Sequence, residues 1–291
     1  MKVHLVDGTY ELFRSHFGAP PRKASDGQEI GATSGLLRSL LLLVTTPGVT
    51  HVACAFDHVI ESFRNRLYAG YKTGEGVDPA LLAQFHLAER AVAALGIVVW
   101  PMVEFEADDA LAAGASRFRD TPGVEQIVIC SPDKDLAQSV SGTKVVCWDR
   151  RRDIVLDEQG VVEKFGVRPQ SIPDYLALVG DSADGYPGVP TWGGKSASAV
   201  LSRFDHLESI PEDPAQLGLP PGRAVKLIDS LRAHREEALL YRRLATLRTD
   251  VPLIEELGDL EWRGAAPGLR ELSASLGDEG ILTRIPRWRP A

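Results

Sequence analysis

The feature that most constrains this chain is a rhythm in its first half. Short apolar runs that end on carboxylates alternate with stretches of helical periodicity. Lys2–Val6 ends at Asp7-Gly8, and His51–Phe56 ends at Asp57. Ile97–Trp100 passes through a turn into Glu106, Asp108 and Asp109. Gln126–Cys130 leads into Asp133 and Asp135 within SPDKDL, and a further strand is expected over Thr143–Trp148. Between these runs Gly35–Val44 reads as a buried helix. Residues 79–95 read as a helix with Pro79 at its first position, and residues 107–117 as another. Strands separated by helices predict an α/β fold, with a central, mainly parallel sheet and helices on both faces. The carboxyl ends of such strands share one edge, where these folds place their sites. Acids from four strand ends are therefore expected to converge.

After about residue 166 the strands stop. Ser171–Val179, Lys195–Phe204, Gly222–Leu231 and Ala233–Leu247 read as helices joined by Gly- and Pro-rich segments. Arg232, just before the long last helix, and Arg235, Arg242 and Arg243 on it could follow a duplex backbone, but Glu236 and Glu237 are interleaved, so the cluster reads at least as well as a solvated face. No internal repeat or low-complexity segment is visible. The longest apolar run, around Leu40–Val44, is too short to span a bilayer, and the N-terminus has no signal-peptide pattern. Cys54, Cys130 and Cys147 are widely spaced, without a zinc or disulfide pattern, which points to a reducing, cytoplasmic setting. The net charge of −8 argues against a broad electrostatic grip on nucleic acid.

One aspartate after a strand is ordinary loop chemistry, and acids are favoured at helix starts. Four strand ends in succession need more. Unpaired carboxylates a few ångströms apart are costly unless protonated or bound to cations. All-oxygen ligation favours Mg²⁺ or Mn²⁺ over zinc, and a cluster this large suggests two ions, suited to in-line attack on a phosphodiester. A second constellation, ALVGDSADGYPGVPTWGGKSASAVL (177–201), adds Asp181 and Asp184. It continues into a Gly-rich turn and a helix opened by Gly194-Lys195-Ser196, a natural seat for phosphate. GGKS is not a phosphate-binding loop of the NTPase type, because Val189 stands where its first glycine belongs and no strand precedes it.

Taken together, the motifs VDGTYELFRSHF, AFDHVIESFRNRLYAGYK, EADDALA, SPDKDLAQSV and LVGDSADGYPGVPTWGGKSA resemble one family, in order over roughly residues 3–205. It is the 5′ nucleases: flap endonucleases and the 5′–3′ exonuclease domain of bacterial DNA polymerase I. The resemblance implies two-metal hydrolysis of DNA that has a 5′ flap, a nick or a free 5′ end, by a monomer. By motif, Asp7, Asp57, Glu106, Asp108 and Asp109 resemble the ligands on one side of the metal cluster, and Asp133, Asp135, Asp181 and Asp184 those on the other. Asp7, Asp57, Asp109 and Lys72 would be catalytic, with Lys72 at the base of a helical arch contacting the scissile phosphate. Tyr71 resembles an aromatic on which a terminal base stacks. Arg64 matches a basic position, structural or near phosphate, and Arg14 could touch DNA or cap a helix, as could His16. The 188–196 turn resembles a helix–three-turn–helix element. Gly193, Gly194, Lys195 and Ser196 would there face DNA, and the carbonyls of Val189 and Trp192 with the Ser196 hydroxyl would hold K⁺. Trp192 itself reads as a packing anchor.

The resemblance implies three regions: an α/β nuclease core at 1–165 with its arch at about 64–95, a helical DNA-binding region at 166–250 with its turn element at about 175–205, and a tail at 251–291 packing on the core. With no polymerase region in view, a stand-alone nuclease is expected. The sequence departs from the family in two places. Residues 73–89 contain no Lys or Arg, and Glu75 replaces a basic residue, so the arch is not basic. Pro190-Thr191 replaces Lys-Gly in the turn, and a Cβ there is expected to push the backbone off the phosphate. These departures keep open a DNA-structure-binding protein of the same fold with vestigial catalysis. An RNA-cleaving relative of the core would lack the 177–201 element. A phosphatase suggested by VDGT would need an aspartate where Leu5 stands.

Overall fold

The structure is a computed structural model that describes residues 1–18 and 20–290. The chain opens with β1 (Lys2–Asp7), α1 (Gly8–Gly18), α2 (Gly31–Thr45) and β2 (Val49–Asp57). Three short helices follow, α3 (Phe63–Leu67), α4 (Pro79–Leu82) and α5 (Phe85–Ala94). Next come β3 (Val98–Met102), α6 (Ala107–Phe118), β4 (Gln126–Cys130), β5 (Val145–Asp149) and β6 (Ile154–Leu156). The remainder is helical: α7 (Glu158–Phe165), α8 (Ile172–Val179), α9 (Gly194–Phe204), α10 (Pro221–Ala233), α11 (Arg235–Ala245) and α12 (Leu269–Ser275).

Residues divide into two compact units, neither of them one stretch of chain. The first comprises Met1–Ile60, Gly74–Ser131 and Thr249–Ala291, and the second Glu61–Thr73 and Pro132–Arg248. In this division by contacts the arch segment and the residues after β4 are shared out differently from their order in sequence.

In the first unit β2, β1 and β4 lie side by side and parallel, with β3 parallel on the outer side of β2. Register pairs Leu5 with Ala53 and Ile129, and Ala55 with Trp100. Val3 to Asp7 are all buried, so both faces of β1 are covered. A Cβ added to Gly114 of α6 would meet Leu5 and Trp100, which places α6 on their face of the sheet. One added to Gly8, at the start of α1, would meet Phe56 and Cys54 on the opposite face. The tail belongs to this unit. Trp262 donates from its backbone N to the Thr50 carbonyl and from Nε1 to the Leu95 carbonyl, while Asp278 pairs with Arg22 and Arg38 at 2.9 Å each.

The expected helix over 79–95 is instead two helices. Gln84 is fully buried; its Nε2 donates to the Ala80 carbonyl, and its Oε1 accepts from Thr33 N and Oγ1. That side chain takes over helix hydrogen bonding locally and anchors the break to α2. The sequence raised no expectation for α1, α3, β6, α7 or α12; β6 pairs antiparallel with the expected strand β5 in the second unit.

Candidate metal centre

In the first unit the acids sit at the carboxyl ends of β1 and β2 and at the start of α6. Asp7 is buried; one oxygen accepts from Tyr10 N and the other from Ser131 Oγ, both at 2.8 Å. Asp57 accepts from Ala107 N at 2.8 Å, so the end of β2 caps the positive end of α6. Its own N–H donates to Thr9 Oγ1 at 2.8 Å. Glu106 is the N-cap of α6, and Asp109, fully buried, accepts from Glu106 N at 3.0 Å. Asp108 is half-buried in the same first turn, and Glu104 is exposed. The helix-start reading and the ligand reading therefore describe the same residues: the α6 N-terminus both tolerates the charge and orients it.

In the second unit the constellation is tighter. Asp133, Lys134 and Asp135 open a short 3₁₀ turn over Asp135–Ser139. The 180–188 turn follows α8 and closes on itself through Asp181 N to Tyr186 O at 2.8 Å and Tyr186 N to Asp181 O at 3.0 Å. These two turns bring carboxylate oxygens of Asp135, Asp181 and Asp184 within 4.8 Å of one another, all three residues buried. Asp133 accepts from Asp135 N at 2.9 Å. Burial, then the charges of Asp133, Asp184 and Asp181, push the Asp135 carboxyl well above the usual carboxylate range, while Lys134 pulls the other way.

Two ammonium groups answer part of this charge. Lys134 Nζ pairs with Asp181, and Lys72 Nζ lies 3.1 Å from Asp184. Burial lowers the Lys134 ammonium's value, but the bond to Asp181 and the charges of Asp135, Asp181 and Asp133 outweigh it and raise it overall. Lys72 is held at its backbone too, donating to the Asp184 carbonyl at 3.0 Å and accepting from Asn65 Nδ2 at 2.9 Å. The close fit requires glycine at position 185, where φ is +88° and a Cβ would lie 2.2 Å from the Gly70 carbonyl.

A divalent cation fits these residues. The buried Oδ1 of Asp135 has no hydrogen-bond partner, and an orphaned anionic oxygen among carboxylates is what a hard cation supplies a partner to. The donor set is all oxygen, suited to Mg²⁺ or Mn²⁺. Tyr186 carries a second orphan: its ring stacks on Tyr241 with centroids 5.5 Å apart, and its buried hydroxyl is unpartnered. Burial, then the Asp135, Asp184 and Asp181 charges, push that phenol up.

Other expected site residues fall differently. Arg64 is buried, donating from Nε to the Leu244 carbonyl at 2.7 Å and from Nη2 to the Thr246 carbonyl at 3.1 Å. It therefore stands in the fold, at the negative end of α11, rather than on a nucleic-acid surface. Tyr71 is 3% exposed, so its ring is covered rather than presented to a terminal base. Arg14 pairs with Glu11 and Ser39, and His16 Nε2 lies 3.1 Å from an Asp78 oxygen. Trp192 is buried with Nε1 donating to the Leu227 carbonyl at 3.1 Å, a packing anchor as expected, and Val189 is buried. Ser196 is buried, its hydroxyl donating to the Gly193 carbonyl and accepting from Gly193 N. Gly193 caps α9, Gly194 lies in its first turn against Tyr175, and Lys195 is exposed beside them. Thr191 takes φ +70°, in the left-handed region where glycine is the usual residue.

Lys134 stands out in the sequence as the exception to the scarcity of Lys and Arg beside the acidic motifs, but its pairing with Asp181 does not. Sequence reasoning passed over Ser131 and Tyr186, which carry no local signal, since a serine after a strand and a tyrosine in a turn are common.

The family described as "5'-3' exonuclease, N-terminal resolvase-like domain" matches residues 2–166, and "5'-3' exonuclease, C-terminal SAM fold" matches residues 167–267. The chain is 32% identical over 277 residues to a 5'-3' exonuclease of Aquifex aeolicus, covering 94% of this chain and 90% of that protein. It is 36% identical over 267 residues to DNA polymerase I of Rhizobium leguminosarum, covering 89% of this chain but only 26% of that protein's length. Among solved structures it resembles the T5 5'-exonuclease with bound divalent metal ions (zinc), with a TM-score of 0.68, 18% identity, and 98% and 97% of the two chains covered. The catalytic core of Rad2 in complex with DNA substrate gives a TM-score of 0.60 at 16% identity, covering 98% and 92%. These likenesses show a mostly parallel α/β fold followed by a helical domain. With both domains matched along most of its length, the chain belongs to the 5′–3′ exonuclease family.

Proposed function

We propose that this protein is a divalent-metal-dependent, structure-specific 5′ nuclease that hydrolyses DNA phosphodiesters at 5′ flaps, nicks or free 5′ ends, acting as a monomer in the cytoplasm. The observation that carries the reading is the buried trio Asp135, Asp181 and Asp184 with its unpartnered Asp135 oxygen. Family membership supports it, as does the presence of metal ions and DNA in structures of the same fold.

In this reading Asp7, Asp57, Glu106, Asp108, Asp109, Asp133, Asp135, Asp181 and Asp184 serve as the ligands of two Mg²⁺ or Mn²⁺ ions. Bound ions of this kind supply Lewis-acid activation of water and neutralise charge at a phosphodiester. The chain's own contribution is positioning. Lys72, fixed by Asp184 through both backbone and side chain, offers an ammonium to charge developing on the phosphate. Gly193, Gly194, Lys195 and Ser196 at the α9 N-terminus serve as a phosphate seat for the duplex. The Val189 and Trp192 carbonyls with the Ser196 hydroxyl serve as a K⁺ site.

The test is cleavage of an end-labelled panel of flap, nicked, gapped and single-stranded DNA, with Mg²⁺ and with Mn²⁺. Asp181→Asn should abolish cleavage of the 5′ flap while leaving the far-UV spectrum unchanged, and EDTA should abolish it in the wild type. Full activity of Asp181→Asn, or flap binding without cleavage by the wild type in either metal, overturns the proposal. The second outcome would establish a DNA-binding protein instead.

A further inference from the structure

We propose that His58, His86 and Glu89 form a binding site for a zinc-like transition-metal cation, with a donor set of its own. All three residues lie in the first unit. His86 and Glu89 are spaced i, i+3 on α5 and share one face of that helix. His58 directly follows the end of β2. One ring nitrogen from each histidine and one Glu89 oxygen lie within 4.8 Å of one another.

The individual distances suit a small ion. His58 Nδ1 is 2.9 Å from Glu89 Oε2, and His86 Nδ1 is 3.9 Å from the same oxygen. Tetrahedral zinc with bonds of about 2.0–2.1 Å sets its donors roughly 3.4 Å apart. The two separations bracket that value, so the site closes by a small rotation of His86, whose side chain is 67% exposed. Glu89 is only 12% exposed and serves as the fixed wall.

An ordinary ion pair accounts for His58 and Glu89. It does not account for the second imidazole, whose ring centroid lies 4.3 Å from the first at a tilt of 43°, against the same carboxylate. Two imidazoles and a carboxylate are a zinc donor set that leaves a fourth position for water. Imidazole nitrogens also discriminate against Mg²⁺, which takes oxygen. A bound ion would tie the first turn of α5 to the end of β2. This inference does not depend on the nuclease reading.

The test is titration of the full chain with Co²⁺ and Zn²⁺ in excess Mg²⁺, which keeps the oxygen-ligand sites filled. Co²⁺ should give the visible absorption of a four-coordinate nitrogen–oxygen site, and Zn²⁺ should displace it and raise the melting temperature. His86→Ala and Glu89→Gln should lose the band and bind Zn²⁺ roughly tenfold more weakly or worse. His86 is exposed, so its variant should fold and melt as the wild type does in Mg²⁺ alone. Asp181→Asn, altered only in the carboxylate trio, should keep the band. Absence of the band in the wild type, its persistence in His86→Ala, or its loss in Asp181→Asn would each overturn the site.

Discussion

Replacing Thr191 with glycine should stabilise the protein. The residue sits at φ +70° between Pro190 and the buried Trp192. An L-residue in the left-handed region costs about 1–2 kcal/mol, and β-branching makes threonine one of the poorer residues there. Thr191 is exposed, so removing its side chain forfeits little burial. Against this gain stands the larger unfolded-state freedom of glycine, about 0.4–1 kcal/mol. The net expectation is a stabilisation of about 0.5–1 kcal/mol. Urea denaturation followed by far-UV circular dichroism should show a higher midpoint at unchanged slope. Thr191→Ala keeps the Cβ and should gain less than the glycine variant. A Thr191→Gly midpoint equal to or below the wild type would show that the threonine is not strained, and the argument about this turn would fail.

Three further outcomes follow from the same geometry. Gly185→Ala must seat a Cβ 2.2 Å from the Gly70 carbonyl at a positive φ, so it should cost at least about 2 kcal/mol in thermal unfolding and lower flap cleavage by displacing Lys72. Tyr186→Phe removes a buried, unpartnered hydroxyl and should raise stability by about 1 kcal/mol in the same denaturation assay; a loss of that size would mean the hydroxyl has a partner. The Glu208 carboxyl is pulled down to about 2, first by its hydrogen bond from Arg242. Its folded value is below its unfolded one, so its contribution is full above about pH 4.5 and lost as pH falls toward 2. Glu208 is half exposed and solvent screens the pair, so Glu208→Gln should cost only about 0.5 kcal/mol at neutral pH and flatten that acid window.

The strand-end acids were legible because a parallel sheet brings its carboxyl ends to one edge, and a run of apolar residues closed by aspartate shows that edge in one dimension. The turn acids Asp181 and Asp184 were legible through their Gly-rich surroundings. What the sequence concealed was decided by tertiary partners. Gln84 has good helix propensity and nothing marks it as a break; only Thr33, far along the chain, makes it one. Arg64 and Tyr71 carry the residue types of a nucleic-acid surface, yet both are buried, Arg64 against carbonyls at the C-terminal end of α11. The replacement of glycine by Thr191 was visible, but its effect was not. Thr191 stands in the left-handed region that favours glycine, so the replacement sets a β-branched side chain on a backbone better suited to glycine.

The interleaving of the two units also has a temporal side. Arg64 finds its carbonyl partners 180 and 182 residues later, and Trp262 closes onto Thr50 and Leu95 from the far end of the chain. A ribosome that has released β1 to β4 has therefore released neither unit in full. The parallel strands wait for Thr249–Ala291, and the acid turn's support waits for α11. Non-local closure of this kind is slow compared with local helix formation. Both units should mature late and nearly together, so that a chain halted before residue 248 would be open to proteases throughout rather than half protected.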